Sequence, residues 1–137
     1  MKVIGPRFHG VIDYLACLVF FLAPSLFNFG GVPATISYIA GAGYLLVTLM
    51  TDMPYGLARV IPFPAHGAIE IVVALALLAM PWLAGFNDVE NARNFFVAMG
   101  VLTALVWMMT DWRRTYATDY EVYDRDRDVD EDYPRAA

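Results

Sequence analysis

Hydrophobic residues in this chain fall into four long blocks, about 10–29, 34–51, 67–86 and 95–110, and polar residues collect where the blocks begin and end. Each block is apolar without the narrow stripe of a soluble amphipathic helix. Each also approaches the roughly 20 residues that a membrane-spanning helix needs. The pattern predicts four transmembrane helices. The first block follows Lys2 and Arg7 as a secretory leader would, but the same pattern returns in the third block, so the first is read as a retained helix. Short connectors join blocks one to two ("NFGGVP", 28–33) and three to four ("NDVENAR", 87–93). The central stretch 53–65 holds three prolines and a glycine, which argues against one continuous helix there.

The two halves repeat one another. His9, Gly10, Ile12, Asp13, Pro24, Phe29 and Gly43 recur 57 positions later as His66, Gly67, Ile69, Glu70, Pro81, Phe86 and Gly100. Thr51-Asp52 returns as Thr110-Asp111 after two further residues. A duplicated two-helix unit enters the membrane twice in the same direction, so the expected architecture is all-α: two tandem hairpins about a pseudo-two-fold axis along the membrane normal. The repeats span about 7–52 and 64–111, within a transmembrane domain at 1–115.

Composition sharpens this picture. Hydrophobic residues make up 59% of the chain, above the roughly 45–50% of soluble domains. Residues 1–115 are neutral overall, and the net charge of −5 sits in the last 22 residues, which are expected to form an acidic, disordered tail. Asp124, Asp126 and Asp128 open like a calcium loop, but Val129 and Arg135 occupy the positions where glycine and a bidentate glutamate belong. No basic nucleic-acid patch is present. Lys2, Arg7, Arg59, Arg113 and Arg114 lie on one side of the spans and Arg93 on the other, which predicts cytoplasmic termini in a plasma (inner) membrane. Cys17 has no intrachain partner and reads as a small core residue.

Six residues carry the candidate chemistry. His9 and Asp13, and likewise His66 and Glu70, are four apart on one helix face near a block's start, and Asp52 and Asp111 close blocks two and four. All six are expected at one membrane boundary, with Asp13 and Glu70 about one turn in and able to reach water. One reading is a structural clamp between hairpins, with the helix-end aspartates seeking His9, His66 or a nearby arginine. A second is a metal site of mixed nitrogen and oxygen ligands, with haem between His9 and His66 as a variant. A third is proton or ion handling, against which stands the lack of ionisable residues in the central part of each span. The clamp is preferred, and no cofactor is required.

Structural roles are expected for Pro24 and Pro81 at helix ends, for Trp82 as an interfacial anchor, and for Gly41, Gly43 and Gly100 in close helix packing. Tyr38, Tyr44, Phe95, Phe96 and Trp107 are expected at the lipid or the interface, and Trp107 with Trp112 at the end of the fourth span.

The proline register completes the pattern. Met80-Pro81-Trp82 runs into Leu83-Ala84-Gly85-Phe86, and Ala23-Pro24-Ser25 into Leu26-Phe27-Asn28-Phe29. With the His/acid openings and the duplication, this resembles the SPW-repeat integral membrane family over roughly residues 7–112. The resemblance implies a small bacterial or archaeal four-helix membrane protein and brings no catalytic residues. With no nucleophile–base pair and no phosphate-cradling loop, the expected function is non-enzymatic: an accessory or scaffold subunit in the lipid bilayer, associating with a larger membrane complex or with itself. A metal-, haem- or ion-binding protein is the alternative.

Overall fold

A computed structural model describes residues 3–113. The acidic tail anticipated at 116–137 lies outside the described residues. Among these residues the fold is that of an all-α polytopic membrane protein with four helices long and apolar enough to cross a bilayer: α1 (Pro6–Leu26), α2 (Gly31–Met50), α3 (Phe63–Leu83) and α4 (Glu90–Met109). Packing is intimate within each hairpin, α1 on α2 and α3 on α4, and much sparser between hairpins.

The helix ends show why this sequence folds in duplicate. α1 and α3 each carry a proline in the last turn, Pro24 and Pro81, which removes one i→i−4 hydrogen bond just before the helix ends. Their carbonyls accept the Phe29 and Phe86 amides at 3.1 and 2.8 Å. Asn28 and Gly85 occupy the left-handed conformation between, at φ 53° and 69°. This is a Schellman stop, and asparagine and glycine are the residues that tolerate it. The proline therefore belongs to a helix-ending device.

Further pairing crosses between repeats. Thr110 at the end of α4 bridges to Ile4 before α1, and Thr51 at the end of α2 bridges to Ile61 before α3. The amides of Asp111 and Asp52 donate to Ile4 O and Ile61 O at 2.9 and 2.8 Å. Each hairpin is thus stitched to the segment that leads into the other.

One end of the bundle holds an aromatic core. Phe20 stacks on Tyr44 with centroids 5.7 Å apart and meets Phe95 edge-on at 5.5 Å, while Phe96 packs between Phe95 and Phe86. Tyr44, Phe95 and Phe96 are therefore buried, which corrects their expected place at the lipid. In a bilayer, contacts of this kind and interhelical hydrogen bonds hold helices together because lipid supplies little hydrophobic drive. Ser37 Oγ donates to Phe20 O at 2.7 Å, and Tyr44 and Thr103 share a hydrogen bond at 3.1 Å across the hairpins.

The glycines also fall into a different register from the one anticipated. Because the two extra residues enter before α4, the second helices align at an offset of 59, which pairs Gly41 with Gly100. A Cβ on Gly41 would stand 3.1 Å from Phe20 Cβ, and one on Gly100 2.8 Å from Leu78 Cγ. Gly43 faces open space. Trp82 is exposed.

Candidate functional site

The other end of the bundle is polar. α1 and α3 begin at Pro6 and Phe63, earlier than the apolar blocks suggest, so Asp13 and Glu70 lie two turns in, about 10 Å by helical rise. Both are buried, at 1% and 4% exposure, where the sequence placed them within reach of water. His9 and His66 are buried with them. The four side chains that repeat at 57 residues converge on a single point between the hairpins.

Their geometry is close. His9 Nε2 faces His66 Nε2 at 3.5 Å. It also lies 3.4 Å from Asp13 Oδ1 and 3.6 Å from Glu70 Oε2, while His66 Nε2 lies 3.3 Å from Asp13 Oδ2. Thr48, itself buried, donates to Asp13 Oδ2 at 3.5 Å. Among the described residues, Glu70 Oε2 is buried without a hydrogen-bond partner. Donor atoms of His9, His66 and Glu70 all fall within 4.8 Å of one another.

The outer nitrogens decide what the inner ones present. Thr110 Oγ1 meets His9 Nδ1 at 3.0 Å, and Thr51 Oγ1 meets His66 Nδ1 at 2.8 Å. Each hydroxyl already gives its one hydrogen to the carbonyl four residues back, Thr110 to Val106 O at 2.7 Å and Thr51 to Val47 O at 2.6 Å. Both threonines must therefore accept, so each histidine carries its proton on Nδ1. The Nε2 lone pairs are left pointing into the cluster. Two carboxylates and two imidazole lone pairs in a dry interior require positive charge among them. Protons or a metal cation supply it.

Aromatic rings close the site. Trp112 meets His9 edge-on at 4.9 Å and packs on Phe63 at 4.8 Å, and its Nε1 donates to Trp107 O. Trp107 Nε1 donates in turn to Gly67 O at 2.8 Å. Trp112 therefore covers the site from one end, and Trp107 ties α4 to the backbone beside His66, instead of the two only seating a span in the interface. With His9 and His66 in contact and ringed by Phe63 and Trp112, no gap for a porphyrin separates them. A cavity of about 40 Å³ between α2 and α3, lined by Gly43, Tyr44, Val47, Ile69 and Val73, touches His66 and Glu70.

Asp52 and Asp111 do not join the cluster. Asp52 is exposed and Asp111 half-buried, its Oδ1 accepting from the Arg113 amide at 3.2 Å. In each repeated Thr-Asp pair, the threonine serves the site. Sequence reasoning missed Thr51, Thr110 and Thr48, although the first two recur with the same spacing as the aspartates beside them.

A family model described as the SPW repeat domain matches residues 7–110. None of the curated proteins and none of the solved structures gives a significant match.

Proposed function

Because the chain belongs to the SPW repeat family, with four membrane-spanning helices, we propose that it is a non-enzymatic membrane scaffold or accessory subunit. Its two hairpins together pack against a larger membrane complex or a second copy of itself. The observation that carries this reading is the enclosure of the buried His/acid cluster. His9, Asp13, His66 and Glu70 are each at most 4% exposed, and the cavity of about 40 Å³ beside them leaves no room for a small-molecule substrate at the cluster itself. The cluster is placed to fasten hairpins that otherwise touch sparingly. What the molecule offers outward is apolar: Ile39, Leu46, Val72, Leu75, Leu102 and Leu105 are all exposed. Arginine placement supports an orientation with both termini and the central connector in the cytoplasm.

Photo-crosslinking in native membranes tests the scaffold reading. A photoreactive residue is placed singly at Ile39, Val72 and Leu102, on outward faces of three helices. A discrete protein adduct from at least one face, either a dimer or a complex of fixed larger mass, is the expected result. Lipid adducts alone from all three positions overturn the proposal.

A further inference from the structure

The clamp explains why four polar side chains meet, but not why they leave Glu70 Oε2 unpartnered and turn two imidazole lone pairs toward each other. We propose that His9, His66 and Glu70 bind one divalent first-row transition metal ion, of the zinc class, between the two hairpins. Asp13 balances its charge from alongside, and Thr51 and Thr110 act as positioning residues. This stands apart from the question of a protein partner, since a metal can lock the two repeats whether or not anything docks outside them.

Three features support the assignment. First, spacing: zinc-to-ligand bonds of roughly 2.0–2.2 Å imply ligand atoms about 3.3–3.6 Å apart at tetrahedral corners. His9 Nε2 stands 3.5 Å from His66 Nε2 and 3.6 Å from Glu70 Oε2, all three ligand atoms lie within 4.8 Å of one another, and Asp13 stands 3.4 and 3.3 Å from the two histidines. Those separations are long for hydrogen bonds and suit atoms that share a cation. Second, the outer shell: metal-bound histidine ordinarily donates its second ring nitrogen to a fixed acceptor, which sets tautomer and ring orientation. The threonines, held by Val47 O and Val106 O, do this for both rings. Third, charge: one divalent cation balances Asp13 and Glu70 together. Two imidazole ligands select a borderline transition metal over calcium or magnesium, which take oxygen. The cavity beside His66 and Glu70 has room for a water, the usual fourth ligand of a three-residue zinc set.

The test uses the full chain in mild detergent, stripped with a chelator and titrated with Co²⁺. One Co²⁺ per chain is expected, giving the intense visible bands of four-coordinate cobalt, bleached by added Zn²⁺. Glu70→Gln and His66→Ala abolish those bands. Thr51→Val weakens Co²⁺ affinity by about 10- to 100-fold, the usual effect of losing an outer-shell partner. Glu90→Gln, at an exposed position on α4, leaves it unchanged. Should His66→Ala fail to fold, the near-isosteric Glu70→Gln decides. Wild-type protein without stoichiometric cobalt bands overturns the proposal, as does binding that survives Glu70→Gln.

Discussion

Replacing Thr51 by valine removes one oxygen and changes little else in shape, yet that oxygen has two partners. It accepts from His66 Nδ1 at 2.8 Å and donates to Val47 O at 2.6 Å. Val47 O stays within the backbone of α2, so its loss is small. The Nδ1–H of His66 is left buried with no acceptor, and an orphaned buried donor costs about 1–3 kcal/mol. Thr110→Val does the same to His9, whose bond is 3.0 Å. The two losses are not independent, because the histidines touch through Nε2 at 3.5 Å and share Asp13. Once one ring is free to turn, the other has less to lose. The double variant should therefore cost less than the sum of the singles, by at least about 0.5 kcal/mol. Equilibrium unfolding in detergent, followed by tryptophan fluorescence because Trp112 packs on His9, measures all three. Thr35→Val is the control: its exposed hydroxyl bonds only Gly31 O, and it should change stability by no more than about 0.5 kcal/mol. A Thr51→Val cost no greater than the control, or strict additivity of the pair, refutes the reasoning.

Two further predictions follow from the helix faces and the charge pattern. Gly100→Ala drives a Cβ to 2.8 Å from Leu78 Cγ and 3.0 Å from the Ala74 carbonyl, and overpacking of this kind costs about 1–3 kcal/mol. Gly43→Ala meets nothing within 4 Å and should gain about 0.5–1 kcal/mol from helix propensity; detergent unfolding of both variants checks that the signs are opposite. With Cys17 replaced by alanine, a cysteine at Leu57 should react with an impermeant maleimide only from the cytoplasmic side, and one at Asp88 only from the opposite side. The reverse labelling would invert the orientation.

The fold was largely legible in the sequence because membrane spans write themselves as long apolar blocks, and the 57-residue recurrence announced two hairpins. The site was half legible. His9, Asp13, His66 and Glu70 stood out because an ionisable group is conspicuous in an apolar run. Thr51 and Thr110 were passed over for the aspartates beside them, since a threonine at a helix end is unremarked until its partner is known. Burial depth was also misjudged. Pro6 and Phe63 start the helices earlier than hydropathy suggests, which moves the acids from the first turn to the second. Val3-Ile4 and Val60-Ile61 are also 57 apart, a signal for the crossed strand-like pairing at the helix ends that the apolar blocks concealed. Gly43 and Gly100 are 57 apart by sequence, but the two-residue insertion enters before α4, so the helices themselves pair Gly41 with Gly100.

The central feature of the fold is that His9 and His66 meet in the interior, each with its Nδ1 proton held by the threonine of the opposite repeat. The chain contains only two histidines, so nitrogen-15 NMR of histidine-labelled protein in lipid reads these two rings and nothing else. Two slowly exchanging rings are expected, both protonated at Nδ1, with the His66 signals changed by Thr51→Val and the His9 signals by Thr110→Val. Rapidly exchanging rings indifferent to either threonine would contradict it.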